Sequence, residues 1–289
     1  MVRPAAAVSG AFLAASLVIA ANAAECVQGT STTAIVAAAT SASTLRLENG
    51  QTVVLAGIAP PQSGPVPDEA WPPREAARAE LDRLVTGKSV TVVSGGRRTN
   101  RYGDLAGHVF LTTPANSERI WIEGELIAAG LARAAALDGT ESCLEDMLAL
   151  ESAARTDKRG NWGSGIFADR DAGDVYALKR LHDTFQTVTG IVERVEDGYG
   201  VRALILTAAD PNGPPAKPGA AGRESLRAEV PAPSGRSRRA SHASGFEGLI
   251  GRRVRVRGWL QGGARPRIPL ADVRLIETVD EETPLAEPK

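Results

Sequence analysis

The sequence predicts a mainly β protein that also contains α-helices, organised as two small β-barrel domains joined by a connector. Its 289 residues are enough for two domains that each bury a core. Short segments of alternating or β-branched residues occur in both halves of the chain, and such segments are typical of strands. In the first half, segments with helical apolar spacing separate the strands, which makes the fold class β-barrel with helices.

Five short strands are predicted in the first half. They cover residues 31–38, 44–47, 52–58, 89–93 and 105–111. The second and third strands are separated by Glu48, Asn49 and Gly50, and an Asn-Gly pair favours a tight hairpin. The chain therefore begins with a meander of strands.

Three helices are interleaved with these strands. The first covers residues 74–85, where apolar residues share one helical face before Gly87 ends the helix. A short second helix ends at Gly130, and a longer third helix is expected over residues 140–158. An oligonucleotide/oligosaccharide-binding (OB) barrel with inserted and appended helices has this order of elements.

Four segments, in the right order, resemble the staphylococcal nuclease-like (thermonuclease-like) family. They are V-V-L-A-G-I-A-P-P-Q at residues 53–62, R-Y-G at residues 101–103, E-G-E-L-I-A-A-G-L-A at residues 123–132 and K-R-G-N-W-G at residues 158–163. The resemblance covers roughly residues 30–165. It implies that residues 24–165 form a nuclease-like OB barrel with three helices.

The resemblance also identifies the positions of the family's active site. In that family two arginines bind the scissile phosphate, a glutamate activates water and aspartates bind calcium. Carried over by position, the arginines fall on Val54 and Asp104, the glutamate on Gln62, and the calcium-binding aspartates on Ser43 and Ala59. None of these five side chains can bind phosphate, activate water or bind calcium as the family's residue does. Asp104 also places negative charge where the transition state needs positive charge.

The sequence therefore predicts a pseudo-nuclease that acts as a binding or scaffolding module, with no catalytic residue, no metal ion and no cofactor. One alternative is an active metal-dependent phosphodiesterase that uses calcium at a rewired site. Its side chains would come from Asp68, Glu69, Arg97, Arg98 and Arg101. The other alternative is an envelope factor whose barrels bind a protein, a glycan or an anionic lipid surface.

The second half is predicted to contain a connector and a second barrel. Residues 166–184 are expected to form a helical connector, residues 185–279 an OB-like β domain and residues 280–289 a flexible tail. Residues 210–244 are rich in Pro, Gly, Ser and Arg, which predicts a disordered loop within this domain. The phrase G-R-R-V-R-V-R-G-W at residues 251–259 resembles the small barrel appended to some secreted bacterial members of the family.

Positive charge is concentrated in this second domain. Residues 24–184 contain 16 Lys and Arg against 21 Asp and Glu, whereas residues 223–267 contain eleven arginines against three glutamates. Strict alternation predicts that Val254 and Val256 face inward and that the neighbouring arginines face outward. The predicted binding residues for nucleic acid or another polyanion are Arg101, Tyr102, Arg253, Arg255 and Arg257.

The N-terminus predicts export to the periplasm or beyond. Residues 1–23 combine Arg3, an apolar run at 11–21 and the small-residue pattern Ala-Asn-Ala, as a signal peptide does. The run is too short to span a bilayer, so no transmembrane span is expected in the mature chain. In an oxidising compartment Cys26 and Cys143 favour a disulfide over the alternative of two unpaired thiols.

Overall fold

A computed structural model describes most of the chain after the first 25 residues. The described ranges are residues 26–62, 71–95, 99–100, 102–112, 119–136, 143–198, 200–209, 226–231, 246–263 and 265–279. These residues are mainly β with four α-helices and two principal sheets, so the predicted fold class is confirmed. No helix among them is long and apolar enough to cross a membrane. The predicted signal peptide and C-terminal tail lie outside the described ranges.

The first half forms a closed five-stranded barrel. The strands of this half are β1 (Thr30–Ser41), β2 (Thr44–Leu47), β3 (Thr52–Leu55), β4 (Ile58–Ala59), β5 (Ser89–Ser94), β6 (Leu105–Thr112), β7 (Arg119–Trp121) and β8 (Arg133–Ala134). Five of them, β1, β2, β3, β5 and β6, form the barrel. β1 pairs antiparallel with β2 and β5, β2 pairs antiparallel with β3, and β5 pairs antiparallel with β6. The parallel pair β3 and β6 closes the barrel. The predicted nuclease-like barrel is therefore present.

Three helices pack on this barrel, as the apolar spacing predicts. They are α1 (Pro72–Val85), α2 (Ile122–Ala128) and α3 (Leu144–Thr156). α1 begins with two prolines, which lack the N–H groups that a first helical turn leaves unpaired. It buries Ala77, Leu81 and Val85 against the barrel. The predicted third helix covered residues 140–158, and the described helix is shorter at both ends.

Two of the segments that carry the family resemblance pack against each other. Gly130 follows α2 with a φ of 69°, a conformation that glycine adopts without strain. A Cβ at this position would lie 2.2 Å from the Arg159 carbonyl oxygen. Asn161 donates to the Gly130 carbonyl oxygen through its backbone N–H and its Nδ2. This close approach holds the chain after α3 against the end of α2.

The second half forms a seven-stranded sheet. Its elements are β9 (Arg170–Asp171), α4 (Val175–Arg180), β10 (Phe185–Asp197), β11 (Val201–Thr207), β12 (Leu226–Pro231), β13 (Arg253–Trp259), β14 (Arg267–Pro269) and β15 (Ile276–Thr278). β10 pairs antiparallel with β11 and β13, β11 pairs antiparallel with β12, and β12 pairs parallel with β14. An antiparallel bridge between Gln261 and Arg267 links the end of β13 to β14. The second half therefore contains a second sheet, and the OB-like domain remains a prediction.

One strand corrects the predicted disordered loop. β12 lies inside residues 210–244, so the prediction is wrong for its six residues. Leu226, Ala228 and Val230 alternate into the core of the second sheet. Their short apolar alternation is hidden in the sequence by the Pro, Gly, Ser and Arg residues on either side. The rest of the predicted loop, residues 210–225 and 232–244, lies outside the described residues.

The connector is only partly helical. Residues 166–184 contain the six-residue α4, but they also contain β9, which pairs parallel with β10. The connector therefore contributes a strand to the second sheet. This pairing brings Asp169 and Arg170 beside the start of β10, where the two domains meet.

The arginines of β13 also depart from prediction. Val254 and Val256 are buried in the second core as expected. Arg257 on the opposite face is only 1% exposed, and Arg253 and Arg255 are half-buried. The prediction that these three arginines face solvent is therefore wrong, because alternation identifies the residues that share a face and not what covers that face.

The predicted disulfide is present. Cys26 and Cys143 are bonded, with their Cα atoms 5.1 Å apart. The bond connects the first described residue to the residue that precedes α3. It closes a loop with a sequence separation of 117 residues.

Candidate functional site

Three of the five family active-site positions lie together on the first barrel. The Leu55 N–H donates to the Ser43 carbonyl oxygen, and Val54 pairs with Thr44 on one side and with Ala106 on the other. Asp104 directly precedes β6, the parallel neighbour of β3. The fold therefore brings Ser43, Val54 and Asp104 to one region.

Asp104 is engaged in the turn that leads into β6. Its Oδ2 accepts a hydrogen bond from Asn100 Nδ2 at 3.0 Å, and its N–H donates to Asn100 Oδ1 at 3.0 Å. The Tyr102 N–H also donates to Asn100 Oδ1, while the Tyr102 side chain is 72% exposed. Asp104 thus has a structural role in this turn. Arg101, a predicted binding residue, lies outside the described residues.

The other two active-site positions contact the second domain. Ala59 is buried in a small cluster with Ala135 and Phe185. Gln62, at the position of the catalytic glutamate, accepts a hydrogen bond through Oε1 from the Phe185 N–H at 2.7 Å. Since Phe185 is the first residue of β10, the second sheet sits against the part of the cleft where the family places its base.

Arg133 binds the same peptide segment from the other side. It lies on β8 opposite Ala59, and its Nη2 donates to the Phe185 carbonyl oxygen at 2.6 Å. Its guanidinium also lies over the rings of Phe167 and Phe185. Gln62 and Arg133 therefore bind both the N–H and the carbonyl group of Phe185. Sequence reasoning missed this contact because the partners are far apart in the chain.

A buried ionic network extends the contact between the domains. Glu151 on α3 accepts from Arg257 Nη1 at 2.6 Å and from Arg155 Nη2 at 2.9 Å through Oε1. Its Oε2 accepts from the Ala134 N–H at 2.6 Å. Arg257 also forms an ion pair with Glu277 of β15. Arg257, predicted to bind an external polyanion, instead neutralises carboxylates inside the protein.

The remaining arginines of β13 also have internal partners. Arg255 Nε donates to Asp169 at 2.6 Å and its Nη1 to Glu277 at 3.2 Å. Arg253 Nη2 donates to the Ala209 carbonyl oxygen at 2.9 Å. The arginine-bearing face of β13 therefore packs against the chain and does not form a free cationic strand.

A cavity of about 210 Å³ lies beside Gln62 at this contact. Its lining includes Gln62, Trp71, Arg133, Phe167, Arg170 and Gln186. These residues come from both domains and from the connector. The cavity thus combines two guanidinium groups with aromatic surface at the edge of the cleft.

Residues 52–164 match the family described as Staphylococcal nuclease homologue. The chain contains a staphylococcal nuclease-like domain. The match extends from β3 through the segment that follows α3. A comparison with curated proteins finds no match.

In the nuclease-like domain described here, the residues at the family's calcium-binding positions do not fit a calcium ion. A hydroxyl at Ser43 and a methyl at Ala59 replace carboxylates, which are the hard ligands that calcium prefers. Within the described ranges, no group of three or more His, Cys, Asp or Glu side chains is placed to hold a metal ion. Asp68, Glu69, Arg97 and Arg98, proposed for a rewired site, lie outside those ranges.

The nuclease-like domain also contains a buried acid that the sequence did not identify as unusual. Glu123, at the start of α2, accepts from the Val109 N–H with both carboxylate oxygens at 3.1 Å. Burial raises its pKa to about 8. Nearby, Trp121 Nε1 donates to His108 Nδ1 at 3.3 Å, and burial lowers the His108 pKa to about 4. Both groups are inaccessible to a substrate and belong to the core.

Proposed function

We propose that the protein is a non-catalytic nuclease-like protein, a pseudo-nuclease, whose nuclease fold serves as a binding or scaffolding module. The hydrogen bond between Gln62 and the Phe185 N–H is the observation that carries this proposal. A general base must accept a proton from water. An amide is no base at neutral pH, and the oxygen of this amide is already occupied by the second domain.

The charges at the positions of the two family arginines also support a non-catalytic function. Phosphoryl chemistry gains most from preorganised cations that face the charge developing in the transition state. Val54 offers no charge, and Asp104 offers a carboxylate held in a turn. Losing one preorganised donor alone typically costs about 3 kcal/mol of transition-state stabilisation. With both arginines replaced, cleavage by the family mechanism is not expected.

We propose that the protein works outside the cytoplasm. Disulfides persist mainly in oxidising compartments, and the bond between Cys26 and Cys143 supports this location. The signal peptide predicted at residues 1–23 would direct the chain there.

The internal ion pairs of Arg255 and Arg257 argue against polyanion binding through β13. Nucleic acid stays a candidate ligand for the nuclease-like domain itself, around the exposed Tyr102. If nucleic acid binds, its affinity should fall steeply with salt concentration.

A cleavage assay tests the proposal. Labelled DNA and RNA are incubated with purified protein in calcium, magnesium or manganese, and parallel reactions contain a chelator. We expect no cleavage above a buffer control with any metal. Cleavage that the chelator abolishes and added metal restores would establish the alternative function of an active phosphodiesterase with a rewired site.

A further inference from the structure

The contact between the domains carries a local surplus of positive charge. Arg133 and Arg170 both line the cavity beside Gln62. Among the described residues, neither has a carboxylate within ion-pairing distance, whereas Arg155, Arg255 and Arg257 are paired. A buried charge without a partner is strongly destabilising. Arg133 is buried and Arg170 is half-buried, and the carboxylates that act on Arg133, those of Glu151 and Asp169, are already paired with other arginines. The two guanidinium groups therefore indicate a place for an anion.

The hydrogen-bond donors of the cavity are also incompletely used. Arg133 lines the cavity but is only 3% exposed, and its Nε is fully buried, so this atom is not among the donors that face the cavity. Arg170 Nε donates to Gln186 Oε1 over a long distance of 3.5 Å. Because Gln62 Oε1 accepts from Phe185, its amide nitrogen remains as a donor. The donors that a ligand in the cavity can reach are therefore those of Arg170 and of the Gln62 amide.

The residues that line the cavity indicate a ligand that has an apolar part as well as a negative charge. Trp71 and Phe167 line the cavity with aromatic surface, and Leu181 adds aliphatic surface. In the described residues, no carboxylate contributes to the lining. An anionic head beside the guanidinium groups and an apolar body beside the rings would complement these surfaces.

The size of the cavity limits the ligand. At about 210 Å³ it is smaller than the roughly 300–1,000 Å³ of pockets for drug-sized ligands. It is larger than an engineered cavity of about 150 Å³ that binds benzene. A ligand part with one ring therefore fits inside the cavity, which is too small to enclose a polynucleotide strand.

We propose that this inter-domain cavity is a binding site for a small oxyanion, a phosphate monoester or a carboxylate that carries at most one ring. The anion binds between Arg133 and Arg170, and its apolar part packs against Trp71 and Phe167. The site involves no family active-site residue except Gln62. The proposal of this binding site therefore does not depend on whether the nuclease-like domain cleaves nucleic acid.

The electrostatic state of Arg133 agrees with this site. Burial lowers the pKa of its guanidinium to about 10, although the nearby Glu151 acts in the opposite direction. A bound anion would stabilise the charged form of this group. Since Arg133 also holds the Phe185 carbonyl group, its substitution would disturb the domain contact, and Arg170 is the better residue to change.

Isothermal titration calorimetry on the full mature chain tests the site. The probes are phenyl phosphate, inorganic phosphate, benzoate and the neutral ring compound phenol, at matched ionic strength. We expect phenyl phosphate or benzoate to bind at least about tenfold more tightly than phenol. Preference for phenyl phosphate over benzoate would identify a phosphate site, and the reverse a carboxylate site.

Two variants give the test its control. Arg170→Gln removes one cavity guanidinium and should weaken the best oxyanion at least about tenfold, because charge-assisted hydrogen bonds are lost. Arg180→Gln removes the same charge from an exposed position on α4 and should leave the affinity unchanged. Circular dichroism checks that both variants are folded. Equal binding of phenol, or equal affinities of folded Arg170→Gln and Arg180→Gln, would overturn the proposal.

Discussion

The ion pair between Arg257 and Glu151 allows a quantitative test of how the two domains are held together. Both side chains are almost fully buried, and Arg257 Nη1 lies 2.6 Å from Glu151 Oε1. Removing one partner of such a pair typically costs about 3–5 kcal/mol. After Arg257→Met, Glu151 keeps Arg155 and the Ala134 N–H. We therefore expect a loss near the lower limit, about 3 kcal/mol in the free energy of unfolding.

A double-mutant cycle separates the pair from its surroundings. Glu151→Gln should also cost about 3 kcal/mol, because Arg257 then retains only Glu277, which is partly exposed. The double variant should be less destabilised than the sum of the two single variants by about 1–3 kcal/mol. Such a coupling energy is expected only for residues that interact directly.

Urea unfolding measures these energies, with tryptophan fluorescence and circular dichroism recorded together to check that unfolding has two states. Arg194→Met is the matched control, since Arg194 is an exposed arginine on β10 that pairs with Glu193 and Glu196. It should cost at most about 1 kcal/mol. The reasoning fails if Arg257→Met costs no more than this control, or if the cycle shows no coupling.

Three further predictions concern the domain contact, the buried acid and the disulfide. Gln62→Leu leaves the Phe185 N–H without its acceptor and should cost about 1–3 kcal/mol in urea unfolding, whereas Gln62→Glu retains an acceptor and should cost less. The Glu123 pKa is raised from 4.5 to about 8, so the folded protein holds a proton that the unfolded chain releases. Stability should therefore fall as pH rises, by about 1.4 kcal/mol per unit. The His108 pKa is lowered from 6.5 to about 4, which opposes this trend below pH 6.5. The decline should thus appear between pH 6.5 and 8 and disappear in Glu123→Gln; an unchanged decline in that variant would exclude Glu123 as its source. Replacing Cys26 and Cys143 together by serine should cost about 2–5 kcal/mol, because the disulfide closes a long loop, and a reductant should then have no further effect on unfolding.

The fold of the first domain could be predicted because its signals are local. The Asn-Gly pair specifies the hairpin between β2 and β3, and the apolar spacing of residues 74–85 specifies α1. β12 was missed for the same reason, since six alternating residues are too short a signal within a segment of loop-like composition.

The candidate site was predictable only in part. The sequence indicated that Gln62 and Asp104 lack the chemistry of the family, but it did not indicate what these side chains do instead. The partner of Gln62 is Phe185, which is 123 residues away, and no local pattern specifies such a contact. The alternation in β13 likewise predicted correctly which residues face inward, but it predicted wrongly that Arg257 faces solvent. Arg257 is covered by α3, which belongs to the other domain, and the alternation in β13 carries no information about that helix.

Comparing cleavage by the wild type, Gln62→Leu and Gln62→Glu tests most directly whether position 62 is structural. Protein from a nuclease-deficient host is incubated with a labelled single-stranded oligonucleotide and calcium, after circular dichroism has verified folding. Our account predicts no cleavage by any of the three, because a restored glutamate still lacks the arginines and calcium ligands replaced at Ser43, Val54, Ala59 and Asp104. Metal-dependent cleavage by the wild type that is lost in folded Gln62→Leu would contradict it.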